Sequence, residues 1–183
     1  MHAEDKRQIR ESYDNLGGEL YDLRYRLEQE AKYDAILRHV ASSAGDIVLD
    51  DGCGTGLLLE RLETPAVGLD LAGGLLSMAR SRLRNRQRVH LIQADAERLP
   101  FRGGVFDKVF AVTLIQNTEP RRTLAEIRRV ARSGSEVVVT ALKKAFTFSV
   151  FEQLLNASGL TPRSIVRDDG VKDWIAFAAP VDG

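Results

Sequence analysis

Apolar residues follow two rhythms along this 183-residue chain. Near the N-terminus they recur every three to four positions. Tyr13, Leu16, Leu20, Leu23 and Leu27 share one face of a helix, and Gly17-Gly18 marks a break between two helices. Ile36, Leu37 and Val40 suit a further helix packed on a sheet. From residue 47 the rhythm changes to short apolar runs alternating with helical segments. Strands are expected at 47–49, 66–71, 89–93, 106–113 and 136–142. Helices are expected over the apolar stretch after residue 56, at 73–83, at 124–131 and at 149–158, the last stopped by Gly159. Ser133-Gly134 reads as a turn. Residues 163–167 and 172–178 read as two strands about the Asp168-Asp169-Gly170 turn, a hairpin signal. Alternating strands and helices imply a mostly parallel, seven-stranded sheet with helices on both faces and an antiparallel C-terminal hairpin. Residues 1–41 form the N-terminal helical part, and 42–183 the core of the same compact domain.

Composition narrows the class of protein. Apolar residues make up 44% and charged residues 28%, ordinary values for a soluble globular domain. No apolar run approaches the roughly 20 residues that cross a bilayer. The N-terminus is charged and lacks the apolar core of a signal peptide, so the cytoplasm is expected. Cys53 is the single cysteine, which excludes an internal disulfide and a cysteine-rich zinc site. His2, His39 and His90 fall outside every motif, so no metal is expected. Net charge is zero, and no global field draws the protein to nucleic acid. Arg80, Arg82, Arg84, Arg86 and Arg88 crowd one stretch. They read as a cationic helix end and a solvated turn, with an RNA or phosphate patch as the alternative.

The chemistry is concentrated in Ile47-Val48-Leu49-Asp50-Asp51-Gly52-Cys53-Gly54-Thr55-Gly56. An apolar strand runs into three glycines at alternate positions and then into a helix. That arrangement lets a ligand approach the backbone closely and meet N–H groups at a helix start. Downstream, Gly68-Leu69-Asp70 puts a carboxylate at the end of the second strand. Gln93-Ala94-Asp95-Ala96-Glu97-Arg98-Leu99-Pro100-Phe101 puts another just after the third. Phe106-Asp107-Lys108-Val109-Phe110 is followed by Leu124-Ala125-Glu126-Ile127-Arg128-Arg129-Val130. Asp70 and Asp95 each have a second reading as a helix N-cap.

These four landmarks, in this order, resemble the class I S-adenosylmethionine (SAM)-dependent methyltransferases. The flavour is that of the small domain in ubiquinone/menaquinone-biosynthesis-like methyltransferases. The likeness covers residues 45–142 well and the closing hairpin loosely. It implies a Rossmann-like fold, SAM as methyl donor, and methyl transfer to an acceptor that the sequence does not identify, with a small molecule ahead of RNA or protein. Donor contacts are implied for Asp50, Gly52, Cys53, Gly54 and Gly56, for Asp70 and Leu71, for Asp95 and Ala96, and for Thr113. Asp70 would accept from the ribose hydroxyls, Asp95 from the adenine amino group, and Asp50 would lie near the methionine ammonium. The Cys53 thiol itself reads as a small buried filler. Residues 1–41 would form a lid, with Tyr13 and Tyr21 either touching the donor or packing the lid.

Two departures from the family pattern stand out. Asp51 occupies a place that is usually apolar, and is either functional or structurally paired. Gln116-Asn117 stand where relatives often carry a His pair, and the Asn-Pro-Pro-aromatic sequence of planar-amine methylases is missing. Asp51, Gln116 and Asn117 are the candidate catalytic residues. A second reading is a non-catalytic SAM-binding protein or a partner-dependent subunit. The third strand, expected at the sheet edge, would pair with a second copy or a small activator. A nicotinamide dehydrogenase is disfavoured by the glycine spacing and by Asp95.

Overall fold

The computed structural model of the protein describes residues 6–8, 11, 18–41, 43–167 and 170–181, with the backbone alone for 18–25. Seven strands form one sheet: β1 (Val48–Asp51), β2 (Ala66–Asp70), β3 (Val89–Gln93), β4 (Phe106–Ala111), β5 (Ala131–Leu142), β6 (Leu160–Val166) and β7 (Asp173–Pro180). Their spatial order is β3-β2-β1-β4-β5-β7-β6. The first five are parallel, and β7 runs antiparallel between β5 and β6. This is the Rossmann-like sheet and closing hairpin expected from the alternation, with β3 at one edge. Asp168 and Asp169 of the hairpin turn lie outside the described residues.

Helices cover the two faces: α1 (Gly18–Leu37), α2 (Leu57–Arg61), α3 (Gly73–Arg82), α4 (Pro120–Val130) and α5 (Phe148–Ala157). Side chains alternate across a strand, so each strand feeds both layers. Val48, Phe110, Val138, Ile175 and Phe177 pack with Ile36 of α1, Leu58 of α2 and Leu76 of α3. Leu49, Val109, Val137, Val139 and Ala176 pack on the other side with Leu124 and Ile127 of α4 and Phe151 of α5.

Three local features differ from the sequence expectation. β1 does not close at Asp50: both carboxylates stay in the strand, with Asp50 opposite Gly68 and Phe110 and Asp51 opposite Leu69. β5 begins at Ala131, and Gly134, at φ 76°, is accommodated in a register shift against β4 rather than in a separating turn. On α1, Leu27 is 84% exposed, whereas Gln29, Lys32, Tyr33 and Ile36 are buried. Leu27 and Ile36 are nine residues apart, about two and a half turns, and therefore lie on opposite faces. Of the remaining residues on the expected face, Tyr13 and Leu16 lie outside the described residues, as does Gly17 of the break; α1 is described from Gly18.

Candidate active site

The chain turns back on itself between β1 and β4: β2 and β3 build outward on one side, β5 on the other. In open α/β sheets such a reversal leaves a crevice beyond the carboxyl ends of the strands. A cleft lies there, enclosing about 740 Å³ out to bulk solvent. Its wall takes Asp51, Gly52 and Gly54 from the end of β1, Asp70 and Leu71 from β2, Asp95 and Ala96 from after β3, and Thr113 and Asn117 from after β4. The sequence thus placed most of its candidates around one space. Leu69, Ala72, Leu75, Leu114 and Thr118 complete it, together with Lys6.

The glycine loop is held open by its own geometry. Gly52, Gly54 and Gly56 have φ of 80°, 54° and 79°, a region other residues enter at a cost. A Cβ on Gly52 would also come within 2.9 Å of Leu114 Cδ1. Asp70 fastens this loop. Its Oδ2 accepts the Gly54 N–H at 2.8 Å and its Oδ1 accepts the Ala72 N–H at 2.9 Å. A carboxylate has about four acceptor sites, so two backbone amides do not by themselves exhaust it. Asp95 is arranged similarly, with Oδ1 on the Glu97 N–H at 2.9 Å. Next to it, the Ala96 N–H has no acceptor among the described residues. Gly56 packs instead against Leu83 and Ala79 behind the loop, and Cys53 is buried with its thiol pushed up by burial and by Asp50, Asp70 and Asp51.

Asp50 and Asp51 point to opposite faces. Asp50 shares the parity of Val48 and lies on the side of α1, α2 and α3. Burial, reinforced by Asp70, raises its carboxyl to about 8. Asp51 shares the parity of Leu49 and reaches the cleft on the α4 side. It is wholly buried, and neither oxygen has a hydrogen-bond partner among the described residues. Burial, then Asp50, Asp70, Asp95 and Glu126, push it well above the ordinary carboxylate range.

Two lysines outside the sequence motifs shape the site. Lys6 Nζ lies 2.6 Å from Asp95 Oδ2 and 2.7 Å from Glu97 Oε2. Burial works against its charge, but the two carboxylates outweigh that and raise it above the ordinary lysine value. Lys32, on α1, is wholly buried 3.0 Å from Asp173, also wholly buried, on β7. It donates to Thr113 Oγ1 at 2.6 Å. The Thr113 and Thr140 hydroxyls donate to Asp173 Oδ2 at 3.1 and 2.8 Å, and the Thr113 N–H donates to Thr140 Oγ1 at 2.8 Å. This network holds Thr113 at φ 58°, a strained value for a β-branched residue. Gln116 turns inward and donates through Nε2 to the Thr113 carbonyl. The signals for this network were faint but present: Asp173 interrupts a strand pattern, and Lys32 is in helical phase with Ile36. Tyr13 lies outside the described residues and Tyr21 is described by backbone alone.

Of the arginine cluster, Arg82 donates to the Thr55 carbonyl and Arg86 to the Glu60 carbonyl at 2.7 Å. Both therefore brace the loop and helix after β1 from outside. Among the described residues no group of three or more His, Cys, Asp or Glu side chains is arranged to hold a metal ion. No described helix is long and apolar enough to cross a membrane.

A doubly wound sheet with a glycine loop after β1 and carboxylates at the ends of β2 and β3 defines a nucleoside-binding α/β domain. Comparison with known proteins narrows the class. Residues 49–139 match the methyltransferase domain family model. Demethylmenaquinone methyltransferase of Clavibacter sepedonicus is 37% identical over 109 residues, 57% of this chain and 44% of that protein. Malonyl-[acyl-carrier protein] O-methyltransferase of a Marinomonas species is 33% identical over 145 residues, 76% of this chain and 53% of that protein. The chain thus spans about half the length of these curated relatives. A chain of the complex between the Haloferax volcanii Trm112 methyltransferase activator and a methyltransferase shares the fold. Its TM-score is 0.82 at 15% identity, covering 96% of this chain and 98% of that one. The chain belongs to the class I SAM-dependent methyltransferase family.

Proposed function

We propose that this chain binds SAM in the cleft and transfers its methyl group to an acceptor, a small molecule ahead of RNA or protein. The observation that carries the reading is Asp70. It sits at the end of β2 on the cleft wall, fixed by the glycine loop it faces. The residues fit the donor. Asp70 is placed for a ribose diol, the unspent Ala96 N–H for a ring nitrogen, and Asp95 for an amino group. Gly52 and Gly54 leave the loop without side chains beside them. Bound SAM supplies a sulfonium methyl whose departure leaves a neutral sulfide. The protein's own task is to align the acceptor with that methyl and to keep water out.

Thr113 and Asn117 lie on the cleft after β4 and are the side chains placed to meet the acceptor. Gln116 serves them indirectly by holding the Thr113 carbonyl. A general base is required only when the acceptor must lose a proton. Residues 1–41 act as the lid. Lys6 reaching Asp95 supports this, and Tyr13 and Tyr21 would complete it. The acceptor preference is supported by the relative named for demethylmenaquinone. The test is release of S-adenosylhomocysteine when the protein is incubated with SAM and fractionated small molecules, RNA or protein. Turnover is expected with a small-molecule fraction and a loss of at least tenfold in Asn117→Ala. Tight SAM binding with no turnover on any fraction would instead establish a non-catalytic SAM-binding protein.

The exposed edge of β3 supports a partner. Among the described residues Val89–Gln93 has one hydrogen-bonded neighbour, β2, and its other edge is open to strand addition. A second copy or a small activator subunit would dock there. The solved complex with a methyltransferase activator, whose matched chain shares this fold, makes the activator the first partner to try. Co-purification with β3 intact, lost when Leu91 is replaced by proline, is the expected outcome.

A further inference from the structure

Asp51 is wholly buried in the central strand, reaches the cleft wall, and has no hydrogen-bond donor to either oxygen among the described residues. Packing alone does not account for it, because an apolar side chain would fill the same place without the desolvation cost. Among the described residues, the ionisable groups that bear on it are all acidic: Asp50, adjacent but on the opposite face of the strand, Asp70 on β2, Asp95 after β3 and Glu126 on α4. Among the described residues, the cations that pair with these acids are already engaged. Lys6 is held by Asp95 and Glu97, and Arg129 by Glu126 and the carbonyls of Leu99 and Phe101. A carboxylate so placed is relieved by a proton, by a donor such as a water, or by a positive charge brought in by a ligand, and the acids around the cleft favour the last.

We propose that Asp51 makes the cleft select by charge, favouring the cationic methyl donor over the neutral-sulfur product that remains once the methyl has left. This rests on the SAM reading above. The donor and its product share adenine, ribose and the amino-acid end; they differ by the methyl group and one positive charge at sulfur. Contacts to the shared parts cannot separate them, whereas an anionic wall does. A charge held in a cleft of this size lies roughly within 10 Å of Asp51, and at an effective dielectric of about 20 this is on the order of a tenfold effect. In the ligand-free cleft burial, reinforced by the surrounding acids, favours the protonated form of Asp51. Arrival of the sulfonium draws the proton off. Donor binding therefore releases a proton that product binding retains, and donor affinity rises as pH increases through the range in which Asp51 ionises.

Calorimetric titration of the full chain with SAM and with S-adenosylhomocysteine, in two buffers of different ionisation enthalpy, tests this. Wild type is expected to show a preference for SAM and a proton release specific to it. Asp51→Asn and Asp51→Leu are each expected to lose about tenfold of that preference and the extra proton release, while their melting temperatures stay at or above wild type. An unchanged preference in either folded variant overturns the proposal and leaves Asp51 satisfied by a buried water or a permanent proton. Wild type binding neither compound overturns the SAM reading itself, a distinct result from loss of discrimination.

Discussion

Asp50 and Asp51 are neighbouring carboxylates in a strand paired on both sides, and the strand's alternation sends one to each helical layer. That separation lets one residue serve the loop side and the other the cleft. Asp50 carries a stability consequence. Its folded value, about 8, lies above the ordinary 3.8. The native state therefore holds this proton more tightly than the unfolded chain. The protonated carboxyl is tolerated below pH 4, and stability is lost as pH rises from about 4 through 8. Asp50→Asn is expected to remove much of this loss, raising the melting temperature of ligand-free protein more at pH 8 than at pH 5. Scanning calorimetry at both values checks it. The glycines and the carboxylates at strand ends were legible in the sequence, because residue type and position after a strand carry their meaning. Lys6 and Lys32 were not. Their partners, Asp95 and Thr113, lie 89 and 81 residues away, and only the folded sheet brings them together.

Among the elements, α1 is bound to the sheet by a buried charge as well as by Tyr33 and Ile36, while Leu27 of the expected leucine face is exposed. Lys32 reaches past the helix to Asp173 on β7, to Thr113 after β4 and, at 3.5 Å, to Glu28 on its own helix. Lys32→Met leaves Asp173 buried without its cation and is expected to cost about 3–5 kcal/mol in urea unfolding. The double variant Lys32→Met/Asp173→Leu should recover part of that loss. An additive double variant would show that the two charges do not act as a pair. α4 begins four residues earlier than its apolar pattern implied, since Glu119 accepts the N–H groups of Arg121 and Arg122 and Pro120 occupies the first turn. Glu119→Ala is expected to cost about 1 kcal/mol. Strands β2 and β4 matched their apolar runs closely because both lie inside the sheet, and β3 matched as well although it is an edge strand and only partly buried. β5 extends further back because a glycine that reads as a turn in sequence becomes an irregularity within a strand in the fold.

For the molecule as a whole, sheet order dictates where chemistry can occur. The reversal between β1 and β4 opens the crevice, the glycine loop and Asp70 shape one end, and the Lys32 network fixes Thr113 at the other. β3 remains at the edge, and light scattering with size-exclusion chromatography should show whether a second copy covers it. The alternation of runs made this architecture readable. The acceptor stayed unreadable because the cleft residues after β4, Thr113 and Asn117, meet those at the ends of β1 and β2 only in three dimensions. On the proposed function this cleft holds a nucleoside by the carboxylate at the end of β2, and calorimetric titration of SAM into wild type and into Asp70→Ala probes that hold. One site of about micromolar affinity, weakened at least tenfold in Asp70→Ala, is the expected result; a folded wild type that takes up no SAM, or equal affinity in both proteins, contradicts it.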